Sequence, residues 1–276
     1  MNSLALDQAE SLRRMLAPRV TRRIAVVASD PGAGATTVAL GLANALAMQG
    51  ERVLLIDEDR AGARATRLAG AAPAATLDAV LGGTATLEAA LGQRPAGAIG
   101  VLPASAQASG DLQLLNGYRT VLNDARGDAE GALSQMAGAA HNLIVVLRAE
   151  PASIKAAYAC IKQLNHLYAC RRFHLVVNAA ASDAAASAVL GNLARTASQY
   201  LGVEASPAGS LPLDPLVARS AALGRCVVEA FAAAPATAAL RRLATGVAAW
   251  PLPAATAENR STPPATPLAP PATALA

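Results

Sequence analysis

The stretch VVASDPGAGATTVALGLANALA, Val26 to Ala47, decides the fold. An apolar run ends in a glycine loop, a Thr-Thr pair follows, and a helical pattern completes it. This is the order of a phosphate-binding loop. Backbone N–H groups at a helix N-terminus point at phosphate oxygens, a lysine neutralises them, and a hydroxyl holds Mg²⁺. Gly32 and Gly34 supply the turn, and Thr36 or Thr37 supplies the hydroxyl. The loop contains no lysine.

Acids stand where such a fold needs them. The run RVLLIDED ends in Asp57 and Asp59, and TVLND ends in Asp124. Carboxylates at strand ends manage Mg²⁺ and the attacking water in phosphoryl transfer. Taken singly, each also reads as a solvated strand-end or capping residue. Further apolar runs, IGVLPAS, NLIVVL, RFHLVVN and AGSLPLD, read as strands. Helical patterns cover 36–49, 76–81, 86–91, 111–118, 128–139, 153–167 and 217–223. One more runs to Tyr200 with Asp183 as its N-cap, and a last one runs to Trp250 with Pro235 in its first turn. Strands alternating with helices predict an α/β fold with a doubly wound, mostly parallel sheet. Continuous apolar runs fit strands buried on both faces.

Three segments follow from composition. Residues 1–20 form an arm in which Leu6, Ala9 and Leu12 share a side at helical spacing. Residues 21–250 form the α/β domain. Residues 251–276, rich in Pro, Ala and Thr, form a tail expected to be disordered. The chain of 276 residues is 53% hydrophobic, enough for a sizeable core. Aromatics at 3% and a net charge of +4 argue against a nucleic-acid partner. Cys160, Cys170 and Cys226 form no C-x-x-C pair and read as reduced thiols in a cytoplasmic protein. No run is apolar and long enough to span a bilayer. His141, His166 and His174 are scattered and predict no metal site of their own.

The motifs together resemble the MinD/ParA-like P-loop ATPases, and within them the flagellar-number regulators of FlhG or FleN type. That family's deviant Walker A loop runs K-G-G-x-G-K-T-T; here Asp30 to Thr37 read DPGAGATT. RVLLIDEDRAGA is similar to the second acidic motif, and YRTVLNDARG to the Walker B strand. TLDAVLGGTATLEAAL, GVLPAS, LRAEPASIKAAYACIKQL, RRFHLVVNAAAS and GSLPLDPLVARSAALGRCVVE follow in the family's order. The resemblance implies ATP or ADP with Mg²⁺ as cofactor. It places Gly32, Gly34, Thr36 and Thr37 on the phosphates and Asn178 on the adenine. Thr36, Asp57 and Asp124 fall at the metal, and Asp59 at the attacking water. DQAESLRRM near the start resembles a helix that engages FlhF, a signal-recognition-type GTPase, through residues matching Asp7, Gln8, Leu12 and Arg13. A flagellar transcription regulator, a second copy of the chain and the inner membrane are further implied contacts.

The departures fall on charge. Asp30 replaces the signature lysine, Ala35 replaces the loop lysine, and Pro31 removes an N–H. A lost charge-assisted hydrogen bond costs about 1.5–3 kcal/mol. A carboxylate beside a polyphosphate adds repulsion of roughly 1–4 kcal/mol at surface-like dielectric. The sum is on the order of 10³-fold in affinity. Arg22, Arg60 and Arg148 are candidates for partial compensation. The expectation is therefore a regulator with degraded ATPase chemistry that works through its arm. The alternatives are an ATP-driven dimerising switch and a partitioning or transcription-linked relative. The arm's arginines also read as a solvated basic face. The stripe Leu240, Leu243, Val247 and Trp250 reads as a helix packed on the body or as a membrane-targeting helix.

Overall fold

Seven apolar segments become strands, and most of their side chains are withdrawn from water on both faces. They are β1 Arg22–Ala28, β2 Val53–Asp57, β3 Gly100–Pro103, β4 Thr120–Ala125, β5 Asn142–Arg148, β6 Arg172–Ala180 and β7 Glu204–Pro212. The computed structural model describes residues 20–250 and 252, apart from 60, 94, 96, 106, 107 and 129. The sheet order is β3-β2-β4-β1-β5-β6-β7, and every pairing is parallel. From central β1 the chain winds out through β2, β3 and β4 to one side, then through β5, β6 and β7 to the other. Such a reversal opens a crevice at the C-terminal ends of the strands.

Helices cover both faces. On one, α1 Ala35–Met48 packs with Ile24, Val26, Leu122 and Ile144 of the sheet. The short α2 Arg64–Leu68, α3 Leu77–Leu81, α4 Leu87–Leu91 and α5 Gln135–Gly138 serve the β3 side of the sheet. On the other face, α6 Pro151–Tyr168 and α7 Asp183–Leu201 cover Val27, Val145, Leu175 and Val177. Helices α8 Pro215–Ala222, α9 Val227–Ala230 and α10 Pro235–Val247 return the chain to α1. There Gly41 admits Leu240, because a Cβ at Gly41 would strike its methyl groups. Leu240, Leu243 and Val247 are all buried. Trp250 stacks on His174 with ring centroids 3.6 Å apart. The apolar stripe of the last helix is thus spent on the body. No helix among the described residues is long and apolar enough to cross a membrane.

Three expectations change. The helix predicted over 128–139 shrinks to α5, because the Asp128 carboxylate accepts the N–H groups of Glu130 and Ala132 and folds the chain into a turn. The helix predicted over 111–118 is a 3₁₀ turn, Leu112–Leu115, capped by Asp111. The N-cap of α7 is Ser182, whose hydroxyl accepts Ala185 N–H, and Asp183 is the first helical residue. The arm and the tail beyond residue 252 lie outside the described residues.

Candidate nucleotide-binding site

The loop between β1 and α1 folds as its glycines dictate. Gly32 and Gly34 have φ of +89° and +96°, a region that strains any residue with a Cβ. Gly34 carries a second constraint: a Cβ there would run into the Asn178 amide. Asn178, from β6, donates that amide to the Ala33 carbonyl at 2.9 Å and props the loop from beneath. Thr36 and Thr37 follow in the first turn of α1, with Thr37 lining the cavity in front of the loop.

The predicted acids converge on this loop because β1, β2 and β4 lie side by side, with Asp57 in register with Asp124. The Thr36 hydroxyl donates to Asp124 Oδ2 at 2.8 Å. Burial pushes the Asp124 carboxyl up to about 7, against the opposing pull of the Thr36 hydrogen bond. Asp57 is buried, and both its oxygens are in use. Oδ1 accepts Asp59 N–H, and Oδ2 accepts the N–H and hydroxyl of Thr66 at 2.8 Å each. Asp59 meets the Arg126 guanidinium at 3.1 Å and accepts Gly62 N–H.

Asp30 is not a loose surface acid. Its Oδ1 accepts the hydroxyls of Ser29 and Ser153 at 2.5 Å each, which ties the loop to the first turn of α6. Ala35 is buried and brings only a methyl group. The compensating arginines are not the expected ones. Arg22 sits at the opposite end of β1, 4.0 Å from Glu51. Arg148 pairs with Glu150 at 3.0 Å, and Arg60 lies outside the described residues. Among the described residues the cations that line the cavity are Arg64 and Arg126. Their signal was their position just after the two acidic strand ends.

Glu58, between the two named acids, also escaped the sequence reading. It is buried, and burial raises its carboxyl pKa, although hydrogen bonds oppose the shift. It accepts the Ser134 hydroxyl at 2.6 Å and Arg126 N–H at 3.3 Å. The loop carrying Arg126 is thereby pinned to the end of β2.

The cavity has a volume of about 500 Å³ and runs from the glycine loop past Arg126 to Ala156, Cys160 and Gln163 of α6. Its fit to a magnesium nucleotide is split. Thr36 and Asp124 are hard oxygen donors already in contact, and they suit Mg²⁺. The phosphate side offers backbone N–H groups but places a carboxylate and a methyl where charge neutralisation is needed.

Comparison with known proteins agrees with this architecture. The family model described as the CobQ/CobB/MinD/ParA nucleotide binding domain matches residues 24–227. The chain is 32% identical over 247 residues to the antiactivator FleN of Pseudomonas aeruginosa, covering 84% of this chain and 88% of that protein. Among solved structures, MinD complexed with Mg-ADP from Pyrococcus horikoshii superposes with a TM-score of 0.64 at 20% identity, over 83% of this chain and 96% of that one. A MinC:MinD complex from Aquifex aeolicus gives 0.65 at 23% identity, over 85% and 98%.

Proposed function

The chain belongs to the CobQ/CobB/MinD/ParA nucleotide-binding family, and on that premise we propose that it regulates flagellar number or placement through protein contacts, with ATP chemistry weakened. One observation carries the loss of chemistry. Asp30 is locked to Ser29 and Ser153 beside a loop whose other cationic position is Ala35. A phosphoryl group in transfer needs a preorganised cation, and the loop supplies an anion instead. The body then persists as a platform. Output passes through the arm, whose Asp7, Gln8, Leu12 and Arg13 dock on an FlhF-type GTPase. Gln8 suits the ordering of a catalytic water there, because its amide both donates and accepts. The flagellar transcription regulator that the family resemblance implies is a second partner in this reading, in keeping with the name antiactivator carried by the Pseudomonas relative.

The test is Gln8→Ala in the full chain. It abolishes stimulation of the partner's GTP hydrolysis while the melting temperature stays unchanged; stimulation equal to wild type sinks the role given to the arm. A second reading is an ATP-driven dimerising switch at the membrane, favoured by the intact Thr36–Asp124 contact. Micromolar ATP binding with Mg²⁺-dependent turnover would select it.

A further inference from the structure

The end of the sheet opposite the cavity gathers arginines from four places in the sequence. Arg22 and Arg23 open β1, Arg52 precedes β2, Arg119 precedes β4, and Arg171 and Arg172 stand at the start of β6. Register brings them level. Arg22 N–H donates to the Arg119 carbonyl and Arg119 N–H to the Arg52 carbonyl, while His141 N–H donates to the Arg23 carbonyl. Five neighbouring strands at ~4.8 Å spacing spread this row over roughly 20 Å. Three glutamates, Glu51, Glu88 and Glu204, lie against it as partners of Arg22, Arg52 and Arg172. The row keeps a net positive charge. The buried Nε atoms of Arg22 and Arg23 have no hydrogen-bond partner among the described residues.

The surface here is shaped. Two adjoining hollows of about 580 and 430 Å³ share Glu51, Arg52 and Tyr118. Val20, the residue that follows the arm in the sequence, leads into β1 at this same end.

Resting on the arm's role proposed above, we infer that this arginine row is a second docking surface, which receives an acidic face of the same protein that the arm engages. The apolar stripe of the arm requires an apolar groove, which a protein supplies and a nucleic-acid backbone does not. The interspersed glutamates suit a patterned protein surface better than a uniform row of phosphates. Charges at such a rim act on association rate and salt dependence.

The experiment compares the full wild-type chain with the triple variant R52E/R171E/R172E, all three being exposed. Affinity for an FlhF-type GTPase and stimulation at saturation are read at 50 and 500 mM salt. The triple variant binds about tenfold more weakly at low salt, converges with wild type at high salt, and stimulates fully once saturated. Equal binding at low salt overturns the docking surface and leaves the arm's role standing. Failure of wild type itself to bind removes both. Loss of binding to duplex RNA or to anionic vesicles in the triple variant, with GTPase affinity unchanged, assigns the row to those ligands and overturns the proposal.

Discussion

The two ends of this sheet are electrically opposite. Where the strands finish, Asp30 and Asp124 line the cavity, and Asp57, Glu58 and Asp59 stand behind its wall at the end of β2. Each carboxylate there is already engaged, by Ser153, Thr66, Ser134, Arg126 and Thr36 respectively. Where the strands start, arginines outnumber acids among the described residues, and the buried Nε atoms of Arg22 and Arg23 have no hydrogen-bond partner there. A functional surface offers interactions it has not used. At the strand starts the groups that solvent reaches are Arg52, Arg171 and Arg172, so the reading proposed above looks to that end for contacts, although the fold type leads one to look first at the cavity.

The contrast breaks most easily at the cavity. Asp30→Lys with Ala35→Lys restores both missing cations, and ATP affinity rises by about 10³-fold in a calorimetric titration. A wild type that binds as tightly as the double variant would mean that Arg64 and Arg126 already do the work and that the cavity end is still active.

A smaller effect tests how the loop is held. Gly34→Ala imposes a Cβ at φ +96° against the Asn178 amide and destabilises the fold by about 2–3 kcal/mol. Gly32→Ala, at φ +89° with open space around it, incurs backbone strain alone and loses less. Thermal melts of the two variants separate the propping role of Asn178 from simple turn geometry. Equal losses would remove that role.

The mildest test lies at the strand starts. Burial lowers the His174 pKa from 6.5 to about 4. A depressed folded pKa gives stability that is complete above the unfolded value and is lost as pH falls toward the folded one. Wild type therefore loses about 2 kcal/mol between pH 7.5 and pH 5 through this group. Urea midpoints followed by circular dichroism fall less steeply with acid in His174→Gln. His141, also lowered to about 4 by burial, accounts for part of the slope that remains.

Much of this was legible in the residue order. The β–α alternation, the glycine loop and the acids at strand ends all rest on local patterns, and the structure sets Thr36 and Asp124 in the cavity wall, with Asp57 beside Asp124 in register and Asp59 on Arg126. The helices predicted over 76–81 and 86–91 also form, as α3 and α4, and the structure adds that Thr76 and Thr86 cap them. The 126–134 loop was not legible, because its alanines and leucine mimic a helix while Asp128 and Gly131, at φ +75°, turn the chain. Nor was the choice of arginines. Arg22 sits only eight residues from Asp30, but a strand rises about 3.3 Å per residue and carries the two to opposite ends of β1. The arginine row was invisible for the same reason, since parallel pairing assembles it from segments up to 150 residues apart.

The stacking of Trp250 on His174 has a practical consequence. Tryptophan occurs once in this chain, so its ultraviolet emission comes from a single indole whose neighbour is known. That emitter sits by the start of β6, at the end of the sheet away from the glycine loop. A shift in its spectrum when nucleotide is added would be a message carried the length of the sheet, readable without any label.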